Sequence, residues 1–300
     1  LDLAQFRLWY SQAGTPRVGV STKIEGDSLA LTLMQTIPAT PGQPDKQPMV
    51  IPLRVAVHSR GQDALGEEQL ITLTEASQTF HLPLAGGEPV LSINRGFTAP
   101  VVIERELAAD DLVFLAARDD DPFARFEALQ ELAVGHLVAV AAGTLEAEAK
   151  SAGEAALIGA MAAILTDTAL DDAMRGELMM LPSETYLFEV MATGERKADP
   201  GAIHAVREGL KAAIGGALAA ELAALHARAS AAAYDDPNGR GLRKVKTQAL
   251  VFIAAADPAT AATMAAASRP KVAFTMNMAN RLPTVPTRGT HSGMRRVGRK

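Results

Sequence analysis

Histidine is the residue type best suited to bind a metal or act as a base in this sequence, and the chain has six. The zinc-hydrolase motif H-E-x-x-H places two imidazoles one helical turn apart with a carboxylate base between them. No histidine here is followed by glutamate, so the motif is absent. The nearest spacing, His204 with Glu208, has no third ligand close by in the sequence and is predicted to be a surface pair on a helix.

The other five histidines are expected to have structural roles. His136 adjoins the apolar stripe of a predicted helix, where a packing role is expected. His58 and His81 lie in predicted strands and His226 lies near a helix end, so solvent-facing positions are expected for these three. His291 lies in a segment rich in Pro, Gly and Arg. The segment shows no helix or strand pattern that could hold the three side chains of a Ser-His-Asp triad in place.

Motifs for other chemistry are missing as well. There is no G-x-S-x-G elbow and no phosphate loop, and Gly215 and Gly216 lie within a helical pattern where they are expected to permit close packing. The acidic runs are expected to cap helix starts on solvated faces, namely Asp110-Asp111, Asp119 to Asp121 and Asp171-Asp172. The residues themselves therefore assign no catalytic, metal-binding or cofactor-binding site.

Composition narrows the function classes further. The absence of cysteine excludes disulfides and thiol chemistry and suits a reducing cytoplasm. No apolar run of about eighteen residues occurs and no leader is evident, so neither a membrane span nor a secreted protein is expected. The net charge is −5, although the last twenty residues carry six basic side chains and no acid. An acidic body of this kind argues against nucleic-acid binding.

Alternation with a period of two predicts strands from Arg17 to Glu106. In "SLALTLMQT" and "IPLRVAVHSRG" every second residue is apolar, and further short strands follow at regular spacing. This pattern is typical of an antiparallel β-sandwich of about six or seven strands. The predicted core residues are Leu31, Leu33, Val55, Val57 and Phe80. The proline-rich "TIPATPGQPDKQPMVIP" is expected to form an extended loop or a sheet edge.

A helical pattern replaces the alternation after Glu106. Apolar residues from Phe126 to Val140 share one stripe, and "RDDDP" places acids and a proline at the expected helix start. From Ile203 to Leu225 the three-and-four spacing predicts one long helix of about six turns, opened by Asp199-Pro200. The other predicted helices are rich in alanine, which lets helix axes approach closely, as in proteins built from stacked helix pairs. No repeat of fixed period is evident in the sequence. The predicted fold is a β-sandwich followed by an all-α helical superhelix.

The opening "LDLAQFRLWYSQAGTPRV" closely resembles the bacterial aminopeptidase N (alanyl aminopeptidase) family, at the point where its catalytic domain ends and a β-sandwich begins. The resemblance continues in order through "VLSINRGFTAPVVIE", "LVFLAARDDDPFARFEALQELA", "DPGAIHAVREGLKAAI" and "RGLRKVKTQALVFIAA", and ends at "NMANRL". It implies the following domains: 1–14, the last helix of a catalytic domain; 15–107, the Ig-like β-sandwich; 108–282, the helical superhelix; and 283–300, a basic tail foreign to the family.

The resemblance also implies an activity, the zinc-dependent removal of N-terminal residues from peptides in the cytoplasm. The family's zinc ligands, its substrate-binding G-A-M-E-N segment and its catalytic tyrosine all belong to the catalytic domain. No site residue can therefore be carried over, and the isolated chain is expected to bind no zinc cofactor and to be inactive. The implied partner is that catalytic domain, on which an apolar patch of Phe6, Leu8, Trp9 and Tyr10 would pack.

Two other interpretations remain open at this stage. The chain could be a non-enzymatic interaction module made of a β-sandwich and a helical array. It could also bind nucleic acid through the basic tail, although the acidic body disfavours this. The composition of 283–300 further suggests an out-of-frame reading and predicts disorder there.

Overall fold

A computed structural model describes residues 3–193, 198–232 and 236–267. Seven strands come first and a helical array follows, which confirms the predicted β-then-α arrangement. The strands are β1 (Arg17–Glu25), β2 (Ser28–Thr36), β3 (Ile51–Arg60), β4 (Gln69–Leu73), β5 (Ser77–Pro83), β6 (Glu88–Ile93) and β7 (Val102–Glu104). The predicted tail, 283–300, lies outside the described residues.

The strands form two sheets, one with the order β5-β2-β1-β7 and the other with the order β4-β3-β6. Most pairs are antiparallel, as in the register of Val20 with Leu33 and of Val57 with Leu91. The predicted antiparallel β-sandwich is confirmed, and the short edge strand β7 departs from it, because β7 pairs with β1 in parallel. β7 reaches that edge by a crossover from the other sheet, so it does not enter as the second arm of a hairpin.

The sandwich core follows the predicted alternation. Leu31, Leu33, Val55 and Val57 are buried, and Phe80 is partly buried against the same cluster. The alternation fails on the other face of β3, where Ala56 and His58 are also fully buried. Both faces of this sheet are covered, because the helix Ala109–Arg118 packs on β6 from the side opposite the sandwich core.

The proline-rich segment has no strand between Thr36 and Ile51, as predicted. Pro52 lies within β3 itself, where it pairs with Thr72 of β4. On the other side of β3, pairing with β6 begins only at Val55. Proline is tolerated at this position because the strand has an open edge there and needs no donor.

Ten α-helices and a short 3-10 helix, Arg95–Phe97, are present in the described part of the chain. The α-helices are α1 (Leu8–Ser11), α2 (Ala109–Arg118), α3 (Pro122–Ala141), α4 (Ala147–Thr166), α5 (Asp172–Leu178), α6 (Glu184–Ala192), α7 (Pro200–Ala217), α8 (Ala219–Ala231), α9 (Gly239–Ala256) and α10 (Pro258–Ala267). Asp121 caps α3 by accepting from Ala124 N at 2.8 Å. Asp199 caps α7 by accepting from Gly201 N at 2.8 Å. Both starts were predicted from an acid followed by proline.

The predicted long helix over Ile203–Leu225 is wrong. It consists of α7 and α8, which meet at Leu218 with a bend of 83°. Gly215 lies just before the bend, where a Cβ would overlap the carbonyl oxygen of Phe252 in α9. This close approach confirms the packing role predicted for Gly215. A Cβ at Gly216 would meet open space, so the same prediction is wrong there.

The helices bury one continuous apolar cluster, which also contains Val90 of β6. The sandwich and the helical array consequently pack together as one compact unit. In the described ranges, no single helix is both long and apolar enough to cross a membrane. Among the helix pairs there, the bent pair of α7 and α8 reaches the required length and hydropathy when the two helices are counted together.

Candidate interaction surface and buried polar junction

The histidines of the described chain do not converge on one site. His58 and His226 are buried, His81 and His204 are exposed, and His136 is half-buried. The solvent-facing position expected for His81 is confirmed, and the same expectation is wrong for His58 and His226. His291 lies outside the described residues.

His58 is buried because the helical array covers its face of β3. Its ring lies 6.3 Å from the ring of Phe114 in α2. Alternation within β3 predicts only which residues share a face. Because it carries no information on what packs against the second face, the burial of His58 could not be predicted from the strand pattern.

Three buried side chains form a polar junction between the sandwich and the helices: His58 of β3, Arg95 after β6, and Asp119 after α2. Arg95 Nη1 lies 3.2 Å from Asp119 Oδ1, and His58 Nε2 lies 3.4 Å from Asp119 Oδ2. Arg95 also donates through Nε to Glu68 at 3.0 Å and through Nη2 to Asp120 at 2.5 Å. The guanidinium is only 3% exposed, so these partners replace its water.

Hydrogen bonding fixes the orientation of the imidazole in the junction. Gly66 N donates to His58 Nδ1 at 3.2 Å, so in a neutral ring the proton lies on Nε2, which is 3.4 Å from Asp119 Oδ2 and 3.3 Å from Arg95 Nη1. Desolvation raises the pKa of Asp119, but polar contacts with His58 and Ser92, the Asp121 N–H and the charge of Arg95 together hold that pKa below 3.8. The junction therefore stabilises an ionised carboxylate inside the protein.

The acidic runs have two different roles. Asp121 and Asp171 cap α3 and α5 on accessible faces, as predicted. The prediction of a solvated capping role is wrong for Asp119, which is 1% exposed. Asp172 accepts both guanidinium nitrogens of Arg228, at 2.8 and 2.6 Å, and so links α5 to α8. These contacts position the helices.

Two groups in the described part of the chain bring three ligand-type atoms within 4.8 Å of one another. In the first, formed by His58, Asp119 and Asp120, the Arg95 guanidinium already supplies the positive charge. A zinc ion there would lie against a fixed cation, so these residues do not fit the metal implied by the resemblance.

The second group is Glu184, His204 and Glu208 on the surface of α6 and α7. The predicted pair of His204 with Glu208 is wrong in detail, because His204 Nδ1 lies 2.9 Å from Glu184 instead. Glu208 forms ion pairs with Lys211 and with Arg207, the latter at 3.7 Å. With both carboxylates engaged, this exposed group also does not fit a catalytic zinc, which needs three oriented ligands and an open position.

The N-terminal segment packs on the sandwich. Trp9 Nε1 donates to Val50 O at 2.8 Å, and Gln5 Nε2 donates to Pro48 O at 3.1 Å and to Thr74 O at 2.6 Å. Leu8 and Trp9 are partly buried against the sandwich core. The expectation that both would be exposed is therefore wrong, because this chain supplies their partner itself.

The opposite side of this segment stays exposed. Leu3, Phe6 and Tyr10 are 45%, 43% and 84% exposed, and the Phe6 and Tyr10 rings pack edge to face at 6.3 Å. Their spacing of three and four residues places them along one side of the helical turns, and we call this side the N-terminal apolar face. Large apolar side chains grouped in this way are typical of a surface that packs against another polypeptide.

Comparison with known proteins agrees with this two-part architecture. Residues 14–106 match a family model described as a domain of unknown function (DUF3458) with an Ig-like fold. Residues 109–285 match a second model, described as a domain of unknown function (DUF3458_C) with ARM repeats.

Several similar proteins are named aminopeptidase N. The chain is 31% identical over 235 residues to aminopeptidase N of Escherichia coli and 35% identical over 227 residues to aminopeptidase N of Caulobacter vibrioides. Each alignment covers 75% of this chain but only 26% and 25% of the relative. The chain thus spans about a quarter of the length of these relatives.

A solved structure shares the fold. Aminopeptidase A of Legionella pneumophila, crystallised in complex with aspartic acid, matches with a TM-score of 0.70 and 22% identity. The match covers 87% of this chain and 30% of that one. The chain belongs to the aminopeptidase N family and matches the part of it that comprises the Ig-like and ARM-repeat domains.

Proposed function

We propose that this chain is the non-catalytic C-terminal part of a zinc-dependent aminopeptidase that removes N-terminal residues from peptides. The relatives named aminopeptidase N support this, because the chain matches only about a quarter of their length. No group among the described residues fits a catalytic zinc, so the metal would be bound by the rest of such an enzyme.

In this proposal the chain is a scaffold that also covers the active site. The N-terminal apolar face carries the argument: Trp9 fixes the segment to the sandwich while Phe6 and Tyr10 remain free for a partner. The partner is the catalytic domain, and the buried polar junction then sets the position of the helical array relative to it. Peptides would be bound between the two parts.

The same proposal places the protein in the cytoplasm, with no membrane or nucleic-acid partner. A chain of 300 residues without cysteine suits a reducing compartment. Its net charge of −5 disfavours a phosphate-binding surface on the folded body.

The test uses the Caulobacter vibrioides relative, expressed without the quarter that this chain matches. This truncated relative is mixed with the present chain, and hydrolysis of an aminoacyl-arylamide and complex formation are measured with and without added zinc. We expect no hydrolysis from the chain alone and a measurable complex on mixing. Tyr10→Ala should weaken that complex about tenfold. Ile24→Ala, at another exposed apolar position, is the matched control.

Metal-dependent hydrolysis by the chain alone would contradict the proposal. Failure to form any complex would favour the alternative of an independent interaction module. This alternative rests on the two apolar cores, which the chain completes without another polypeptide.

A further inference from the structure

A second exposed apolar surface lies where the sandwich meets the helices, on elements other than those of the N-terminal apolar face. It is a groove of about 670 Å³ between the β7 edge and α3, with α6 at one end. Three of its large side chains, Phe97, Val102 and Tyr186, are 53%, 41% and 51% exposed. We call it the β7–α3 groove, and the lining residues used below are Phe97, Val102, Arg105, Phe123, Glu127 and Tyr186.

Phe97 is held in the groove wall at a conformational cost. Its φ is +53°, in the left-handed region that bulky side chains avoid, and Asn94 before it has a φ of +58°. The Asn94 side chain accepts from Ala99 N at 3.0 Å and donates to Ala99 O at 3.1 Å, and Gly96 N donates to Asp121 at 3.0 Å. These bonds fix a turn that keeps a phenylalanine half in water, 5.2 Å from Phe123.

Such an arrangement has no evident benefit to the isolated fold. Folding alone would favour a turn without left-handed phenylalanine and with the ring buried. Strained residues of this kind concentrate at sites that bind a partner.

The charges in the groove are unbalanced. Arg105 Nη2 lies 3.8 Å from Glu131, and Arg105 Nη1 donates weakly to Leu91 O at 3.4 Å. Glu127 has no hydrogen bond or ion pair in the described part of the chain. Glu127 lies on the exposed side of α3, where the groove walls still remove part of the water around its carboxylate and raise its pKa; Arg105 opposes this shift and Glu131 adds to it. A cation placed in the groove would complement Glu127.

The dimensions indicate the class of ligand. The α3 wall runs from Phe123 to Gly135 and is therefore roughly 18 Å long. That length matches about five residues of extended chain. The groove is open along one side. Its exposed apolar side chains lie along both walls, as an elongated ligand requires, and do not surround a single point.

We propose that the β7–α3 groove binds a polypeptide segment in which an aromatic or aliphatic side chain is followed by a lysine or arginine. The apolar side chain packs against the exposed ring of Tyr186, because aromatic contacts contribute most to binding, and the rest of the segment passes along α3 towards Phe97. The basic side chain forms an ion pair with Glu127. The inference concerns a surface separate from the one used in the proposed function and does not depend on it.

The test uses a short fluorescent peptide with a central phenylalanine followed by lysine, and a matched peptide in which glutamate replaces the lysine. Fluorescence anisotropy gives the affinity, and amide chemical-shift changes in the intact chain give the location. We expect the lysine peptide to bind about tenfold more tightly than the glutamate peptide, with shifts centred on β7 and α3.

Two variants, one in α6 and one in α3, test whether the peptide binds in this groove. Tyr186→Ala should weaken binding about tenfold without altering the Phe97 turn. Glu127→Gln should leave apolar binding in place and remove the preference for lysine. Phe188→Ala, on the same helix and 41% exposed, is the matched control and should bind as the wild type does.

The proposal is overturned by equal binding of the two peptides, by binding that survives Tyr186→Ala, or by shifts confined to another surface. It is also overturned if the chain binds neither peptide but self-associates through this surface, so that Tyr186→Ala yields the monomer. Because all these outcomes are read on the chain alone, they are independent of whether it assembles with a catalytic domain.

Discussion

The Arg95 guanidinium and the Asp119 carboxylate lie 3.2 Å apart, and each is at least 97% buried. Arg95 follows the last long strand of the sandwich and Asp119 follows the first helix of the array. The ion pair therefore joins the two parts of the fold at the point where the chain passes from one to the other. His58 completes the contact from β3, so three separate segments depend on one charge pair.

We expect Asp119→Asn to lower the free energy of unfolding by about 3 kcal/mol. The substitution leaves the Arg95 cation buried with one fewer opposing charge, and removing one member of a buried pair usually has an effect of this size. Urea unfolding followed by circular dichroism measures the change. Glu104→Gln breaks the exposed pair with Arg17 and should change stability by less than about 1 kcal/mol. Equal effects of the two variants would contradict the role assigned to the junction.

The junction also predicts that the free energy of unfolding decreases at low pH. The folded state holds the pKa of Asp119 below 3.8, its value in the unfolded chain. Its contribution is fully present above the unfolded pKa and is lost as the pH falls through the lower folded pKa. Asp167 and Asp172 add in the same direction, because Arg125 and Arg228 lower their pKa values. Unfolding free energy measured against pH should fall less steeply below about pH 4 in Asp119→Asn than in the wild type.

A second pH effect is expected from His226. Burial lowers its pKa from 6.5, and the charge of Lys246 lowers it further. The unfolded chain binds a proton near pH 6.5 whereas the folded chain does not, so stability is lost as the pH falls from 6.5 toward the folded pKa. His226→Gln should flatten the stability curve between about pH 7 and pH 5. Parallel curves for wild type and His226→Gln would disprove the assignment.

The two adjacent glycines before the bend give a matched pair of substitutions. Gly215→Ala should lower the free energy of unfolding by about 1–3 kcal/mol, because its Cβ would overlap the Phe252 carbonyl and push α7 from α9. Gly216→Ala meets open space and should be neutral or stabilise by up to about 1 kcal/mol, because alanine favours the helix. Thermal unfolding of both variants is the measurement. Similar changes in melting temperature would argue against the close contact of α7 with α9.

Local patterns predicted much of this fold. Alternating apolar residues identified the strands, and an acid followed by proline identified the starts of α3 and α7. The bend at Leu218 could not be predicted, because Leu222 and Leu225 continue the apolar spacing across it and are buried in α8. Periodicity reports which residues are buried, whereas a change of helix direction depends on the tertiary contact made by Gly215.

The candidate sites could be predicted from the sequence less well than the fold. The sequence motifs assign the histidines to no common site, and those of the described chain lie on separate elements. The buried state of His58 depends on α2, which lies far from it in sequence, and a strand pattern cannot report such a contact. The β7–α3 groove was missed for a related reason. Its signal, a phenylalanine directly after "NRG", becomes informative only once the left-handed backbone is seen.

The contact between the N-terminal segment and the proline-rich loop has a consequence for how this region can evolve. Gln5, Trp9 and Gln12 all donate to main-chain carbonyl oxygens, those of Pro48, Val50 and Gln47 among them. Every residue type offers the same carbonyl, so the loop can exchange its side chains without losing these bonds. At these three positions selection acts on the path and length of the loop, whereas Gln43 and Lys46 bind Ser11 and Ala13 through their own side chains. Among relatives, insertions in the loop should therefore be rarer than substitutions.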